Sequence, residues 1–117
     1  ELLKETVRVT ALTQEEIEYR IENLKANLKQ HADWAKFLVE FESLFPNLLK
    51  KITQKSSVKL TTNELRLLCL IKLNLTNKEA AEYLFISYEG AKKARLRLAK
   101  KFNLKTGKEL AQFIQNV

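Results

Sequence analysis

The near absence of helix-breaking residues constrains this chain more than any other feature of its sequence. The 117 residues include only two glycines, Gly90 and Gly107, and one proline, Pro46. Glycine and proline are both unfavourable inside helices. A hydrophobic fraction of 45% with 30% charged residues is typical of a globular rather than a disordered chain. We therefore expect an all-α fold.

Composition also excludes several kinds of functional site. The single Cys69 and the single His31 are too few for a disulfide or a structural zinc site. One aspartate, Asp33, does not build a calcium loop, and two isolated glycines do not build a phosphate-binding loop. We expect no enzymatic activity, no cofactor and no metal. No uncharged stretch is long enough to span a membrane, and no signal-peptide pattern is visible. We therefore expect a cytoplasmic location.

The positive charge is concentrated in the second half of the chain. Residues 1–50 carry 7 basic and 9 acidic groups, whereas residues 51–117 carry 14 basic and 5 acidic groups. Residues 90–108 contain eight basic groups and no acidic one, although exposed helices usually alternate charge for pairing one turn apart. The simplest interpretation of a basic run is a solvated helix face. A run without any carboxylate favours polyanion binding, and nucleic acid is the commonest polyanion.

The first half of the chain carries a heptad pattern that predicts a helical linker over residues 1–56. The seam consists of Leu3, Val7, Thr10, Gln14, Ile17, Ile21, Leu24 and Leu28. A repeat of 3.5 residues favours a left-handed coiled coil with a partner, here a second copy. Two alternatives stay open: the helix begins near Thr13, which opens a capping box with Glu16, or the seam packs on the rest of the chain.

An aromatic stripe follows the heptad pattern. It consists of Trp34, Phe37, Leu38, Phe41 and Phe45, at spacings that share one helix face. Asp33 caps this helix, or the helix continues from the preceding one. Pro46 ends it and begins a short helix that contains Leu48 and Ile52, because proline suits a first helical turn. Residues 50–59 are expected to form a polar linker.

The second half contains four signals for the start of a helix. Capping boxes begin at Thr61, Thr76 and Thr106, and Ser87 precedes a further helix. They predict a short helix, a tight turn at Phe85 and Ile86, and a long basic helix over 88–102. This is a helix-turn-helix, in which the first helix braces the second across the DNA backbone so that the second enters the major groove.

Residues 60–117 resemble the LuxR-type, or GerE-like, DNA-binding domain. The family pattern of Leu-Thr-x-x-Glu, Asn-Lys-Glu, Leu-x-Ile-Ser and Lys-Leu keeps its spacing without a gap from Leu60 to Phe102. The matching residues are Leu60, Thr61, Glu64, Asn77, Lys78, Glu79, Leu84, Ile86, Ser87, Lys92 and Lys101. Gly90, Ala91 and Ala94 stand where the family has Thr, Val and His. Region four of sigma factors has a similar pattern.

The resemblance implies a four-helix DNA-binding domain over residues 57–117. The first half, with Trp34 and Phe41 on a helix that ends at Pro46, resembles the linker of sensor-fused members of this class. The sequence also lacks methionine. We therefore expect the output end of a longer regulator with an upstream sensor domain, in the cytoplasm or at the cytoplasmic end of a membrane-bound sensor.

Helical geometry assigns roles along the 88–102 helix. Ala91, Ala94, Leu98 and Phe102 share the face expected to be buried. The side chains expected to read base edges from the opposite face are Glu89, Lys92, Lys93 and Leu96. Those expected to bind phosphate are Thr76, Asn77, Lys78, Arg95, Arg97, Lys100 and Lys101. For each single lysine, the alternative is a solvated surface residue.

The last helix carries an apolar stripe that includes Leu110, Phe113 and Ile114. In the LuxR-type family this helix often makes the dimer contact, and core packing is the alternative. The function predicted from the sequence is a sequence-specific transcription regulator that binds double-stranded DNA as a homodimer, with RNA polymerase as a further partner. The alternative is a protein–protein interaction module or a sigma-like region that binds polymerase.

Overall fold

The computed structural model describes residues 13–117, and this part of the chain is entirely helical. Its seven helices are α1 (Gln14–His31), α2 (Trp34–Leu44), α3 (Leu48–Thr53), α4 (Thr62–Lys72), α5 (Asn77–Leu84), α6 (Tyr88–Lys101) and α7 (Gly107–Gln115). The predicted all-α class is confirmed for these residues. None of these helices combines the length and the apolarity that crossing a bilayer requires. The chain divides into two compact units, one that ends at Leu44 and one that spans Phe45–Val117.

The first unit contains α1 and α2, which pack against each other. α1 begins after Thr13, whose hydroxyl accepts the N–H of Glu16 at 3.1 Å. It ends at Ala32, which adopts a left-handed conformation with φ of 51°. Asp33 then accepts the N–H of Lys36 at 3.1 Å and caps α2. The interpretation of one continuous helix is therefore wrong, because a left-handed residue interrupts the helical hydrogen bonds.

The heptad seam is divided by the structure. Leu3, Val7 and Thr10 lie outside the described residues. Leu24 and Leu28 are buried within the chain, whereas Ile17 and Ile21 remain half-exposed. Leu24 and Leu28 were expected at a dimer seam, and this assignment is corrected because buried side chains have little surface left for a second helix.

The second unit begins earlier than the boundary at residues 56 and 57 expected from the sequence. Pro46 lies in a turn, and Asn47, with φ of 63°, precedes α3, so proline does not occupy the first turn of that helix. Ile52 is fully buried. The N–H and the hydroxyl of Ser57 both donate to the carbonyl of Lys101 at 3.0 Å. The burial of Leu48 and Ile52 and the extent of the second unit make residues 45–56 part of that unit rather than part of a free linker.

α4 contacts α5, α6 and α7 and contributes the largest run of core residues to the second unit. Its residues Leu67–Ile71 are all buried, as expected for a helix that is apolar on every side. The core of this unit is formed by Leu48, Ile52, Leu60, Leu67, Leu68, Cys69, Leu70, Ile71, Leu73, Leu75, Ala80, Ala81, Ala91, Leu98, Ala99, Phe102, Leu110 and Ile114.

The capping signals of the second half are formed in the structure. Thr61 and Thr76 make complete capping boxes at the starts of α4 and α5. Ser87 accepts the N–H of Gly90 at 2.9 Å at the start of α6. Thr106 caps α7, but the carboxylate of Glu109 accepts the N–H of Lys105 at 2.8 Å instead of that of Thr106. Local sequence therefore sets where each of these helices begins.

Candidate nucleic-acid interface

α5 and α6 are joined by a three-residue turn and pack against each other. Phe85 follows α5 with φ of 56°, and the N–H of Ile86 donates to the carbonyl of Ala81 at 3.0 Å. Ala81 and Ala91 are buried, so small side chains allow the two helices to approach closely. The lengths of α5, α6 and the turn between them are typical of a helix-turn-helix.

One face of α6 is buried and the opposite face is open to solvent. The buried side chains are Ala91, Leu98, Ala99 and Phe102. The outer face of α6 consists of the exposed residues Glu89, Lys92, Lys93, Leu96 and Lys100. The structure thus brings the predicted base-reading residues onto one surface. Ala94 was expected in the core but is only half-buried, and Ala99, which the sequence analysis did not assign, is fully buried.

Tyr88 adds an aromatic ring to this surface that the sequence analysis missed. Its side chain is 51% exposed at the first position of α6. The Nζ atom of Lys92 lies 5.4 Å from the centroid of the Tyr88 ring, within the range of a cation–π interaction. The signal was present in the sequence, because a tyrosine four residues before a lysine places both side chains on the same helix face.

Arg95 does not lie on the outer face of α6. Its Nη2 atom donates to the carbonyl of Leu75 at 3.2 Å. A Cβ atom at Gly107 would approach Arg95 Cδ to 2.9 Å, so the stem of Arg95 packs on the start of α7. Burial lowers the pKa of Arg95 below its usual value. Its assignment as a phosphate ligand is therefore corrected, because the guanidinium already bonds within the domain.

Lys101 is also engaged within the domain. Its Nζ atom lies 2.6 Å from Oε1 of Glu64, and both residues are half-buried. Burial acts to raise the pKa of Glu64, but hydrogen bonds from Lys101 and Thr61 and the charge of Lys101 outweigh it, so this pKa lies below its ordinary value. The predicted phosphate contact of Lys101 is corrected, since its charge is balanced by a neighbouring carboxylate.

The start of α5 presents three of the five other residues predicted to bind phosphate, and Arg97 and Lys100 are exposed on α6. Thr76 accepts the N–H of Glu79 at 3.2 Å, and its own N–H donates to the Glu79 carboxylate at 2.9 Å. Asn77 is half-buried, and its Oδ1 atom has no hydrogen-bond partner among the described residues. Lys78 is exposed. A helix start with partial positive charge next to a lysine favours a phosphate group.

Several exposed cations are not balanced by a neighbouring carboxylate. Within residues 13–117, ion pairs are formed by Lys25 with Glu22 and by Lys101 with Glu64. The exposed cations of α5 and α6 that make no ion pair with a described residue are Lys78, Lys92, Lys93, Arg97 and Lys100. This surface carries an uncompensated positive charge, which attracts polyanions.

Two of the three predicted dimer residues on the last helix lie in the core. Leu110 and Ile114 are fully buried, at 0% exposure. Phe113 is half-exposed, and its ring centroid lies 5.2 Å from that of Phe102. The dimer assignment of Leu110 and Ile114 is corrected, because neither has surface to offer a second copy. Phe113 retains partial exposure.

Comparison with known protein families, with curated proteins and with solved structures finds no match for this chain. The function proposed below is therefore based on the geometry of the second unit alone.

Proposed function

We propose that this chain is a sequence-specific DNA-binding regulator of transcription, with α6 as its recognition helix. One observation carries the proposal. A 14-residue helix, braced by α5 through a three-residue turn, presents an outer face of unpaired cations with a single carboxylate, Glu89. The major groove of DNA accommodates one α-helix, and the first residues of a recognition helix reach the base edges.

The proposed contacts divide into two groups. Lys92 and Lys93 donate to guanine acceptors, Glu89 accepts from cytosine, and Leu96 contacts a thymine methyl group. Phosphates are bound by the exposed cations around this face and by the start of α5. They are Lys78, Arg97 and Lys100, together with Thr76 and Asn77.

The proposed assembly is a homodimer on a two-part DNA site, in the manner of LuxR-type regulators. Dimers of this kind bind half-sites about one helical turn apart or at multiples of that distance. Within the described residues, Ile17, Ile21 and Phe113 are the members of the predicted dimer set that keep partly exposed side chains. Sedimentation of the full chain over a range of concentrations tests the assembly, and a monomer throughout would contradict it.

Fluorescence anisotropy with duplex DNA tests the proposed function. A random-sequence duplex pool should bind at low salt, and repeated selection from that pool should enrich a defined sequence. The logarithm of the affinity should fall against the logarithm of salt concentration with a slope of about −0.9 per neutralised phosphate. Absence of binding to every duplex at low salt would overturn the proposal.

A matched pair of double variants separates the site from general charge. Replacing Lys93 and Lys100 with glutamine removes two charges from the outer face of α6. Replacing Lys29 and Lys36 with glutamine removes the same charge from exposed positions of α1 and α2. Only the first pair should weaken binding strongly, and equal losses would show that net charge alone drives the interaction.

A further inference from the structure

A groove of about 440 Å³ lies between α6 and the first turn of α4. α6 contributes Gly90, Ala94 and Arg97, whose spacing places them on one side of the helix. None of the outer-face residues of α6 lines the groove. The groove therefore lies beside the face proposed to read bases, and Arg97, which is also a proposed phosphate ligand, is the one residue that belongs to both surfaces.

The floor of this α4–α6 groove is apolar. Leu67, Leu84 and Ile86 line it, and Ile86 keeps 40% of its surface exposed. The volume exists because Gly90 and Ala94 carry almost no side chain. It lies in the range of about 300–1,000 Å³ that is typical of ligand-binding clefts. The groove thus accommodates apolar side chains from another molecule.

The rim of the groove carries a positive charge at Arg97. Arg97 is exposed and makes no ion pair with a described residue. The opposite rim is the start of α4, with Thr61 and Asn63, where a helix carries partial positive charge. The carboxylate that lines the groove, Glu64, accepts hydrogen bonds from Thr61 and Lys101, so its negative charge is compensated.

We infer that the α4–α6 groove binds an acidic and apolar segment of a partner protein. An apolar side chain of that segment lies on Leu84 and Ile86, and a neighbouring carboxylate pairs with Arg97. The combination of an apolar floor and a positive rim selects this chemistry over a neutral apolar helix. The inference goes beyond DNA binding and does not depend on it.

Nuclear magnetic resonance titration of the full chain tests the inference. The probe is a synthetic peptide of about four helical turns in which leucine and phenylalanine alternate with glutamate and aspartate at helical spacing. We expect saturable shifts at the amides of Ile86, Ala94 and Arg97. A peptide of equal charge, with serine in place of leucine and phenylalanine, should produce little change at these amides.

Three variants locate the contact. Ala94→Gln fills the groove and should weaken the peptide about tenfold. Arg97→Gln should weaken it about threefold, as expected for one exposed ion pair. Lys93→Gln removes the same charge from the outer face of the same helix and should leave the affinity nearly unchanged. Because Arg97 is exposed, its variant keeps the test valid even where Ala94→Gln disturbs folding.

Four results would overturn the inference. The first is equal binding of the serine peptide, and the second is a set of shifts centred on Lys93 and Leu96. The third is a shift of the groove amides on addition of duplex DNA, without any shift on addition of the peptide. That result would mean that the groove binds phosphate. The fourth is a shift of the groove amides that depends on protein concentration and not on peptide. That result would mean that a second copy of the chain occupies the groove.

Discussion

Lys72 and Gln115 stabilise the carboxyl ends of each other's helices. The side-chain amide of Gln115 donates to the carbonyls of Ile71 at 2.9 Å and Lys72 at 3.2 Å, near the end of α4. The ammonium of Lys72 donates to the carbonyls of Ile114 at 3.4 Å and Gln115 at 3.3 Å, at the end of α7. The last carbonyls of a helix lack partners within it. The two helices therefore end as one unit.

The first prediction concerns this reciprocal contact. Gln115→Ala should lower the free energy of unfolding by about 1–2 kcal/mol, because it leaves carbonyls of α4 without their donor. Urea denaturation followed by circular dichroism measures the change. Gln112→Ala, at an exposed position of the same helix, is the control and should have almost no effect. Equal losses from the two variants would argue against the capping role.

The second prediction separates two arginines that lie two positions apart. Arg95→Ala should destabilise the domain by about 1–3 kcal/mol, because it removes a charged donor from the Leu75 carbonyl. Arg97→Ala should change stability by less than about 0.5 kcal/mol, as surface substitutions do, and should weaken duplex binding. Denaturation and anisotropy measured on both variants check this. The reverse pattern would contradict the placement of the two side chains.

The third prediction concerns pH. The pKa of Glu64 is lowered in the folded chain, so its contribution to stability is present above the unfolded value. That contribution is lost as the pH falls through the lower folded value. Glu64→Gln keeps an acceptor for the capping box but removes the charge that pairs with Lys101. The stability difference between the parent chain and this variant should therefore shrink as the pH falls below the ordinary value of 4.5.

Unfolding measured at a series of acidic pH values tests the role of Glu64. Glu82→Gln, at an exposed position of α5, is the control for a general loss of negative charge. A stability difference for Glu64→Gln that stays constant across this range would show that the Lys101 pairing does not lower the pKa of Glu64.

The fourth prediction concerns Phe85, which is 83% exposed and has φ of 56°. A bulky side chain is disfavoured in this left-handed region. Among residues 13–117, Asn47, Asn74 and Asn103 hold three of the other four positive-φ positions. Phe85→Asn should raise the free energy of unfolding by about 0.5 kcal/mol, because asparagine tolerates this conformation and little packing is lost. A lowered melting temperature would show that Phe85 makes a stabilising contact.

The fifth prediction concerns base preference. Lys92→Ala should reduce discrimination between the selected duplex and its single-base variants by about 1–3 kcal/mol. Tyr88→Leu removes the ring under the Lys92 ammonium and should cost about 0.5–1 kcal/mol of that discrimination. Tyr88→Phe keeps the ring and should leave the preference unchanged. Competition anisotropy measures all three, and a loss with Tyr88→Phe would instead implicate the hydroxyl group.

The capping signals and helix periodicity were sufficient to predict most of the helical organisation. Thr61, Thr76, Ser87 and Thr106 each begin the predicted helix, because a cap depends on residues three positions apart. The exposed outer face of α6 also follows from its periodicity. These features need only local geometry, which the sequence contains.

The corrected assignments involve partners that are distant along the chain. Arg95 bonds to Leu75, and Lys101 pairs with Glu64. Both cations looked available for phosphate because nothing within one helical turn engages them. The α4–α6 groove was missed for the same reason, since its walls come from separate helices.

The sequence by itself determined that this chain is helical, where most of its helices begin, and which face of α6 carries unpaired cations. Only the tertiary structure decided which cations remain free, which apolar stripes form the core, and that Leu110 and Ile114 have no surface to offer. The physical reason is the distance along the chain over which each interaction acts. Caps and periodicity act over one or two turns, whereas burial and charge compensation depend on which helices meet.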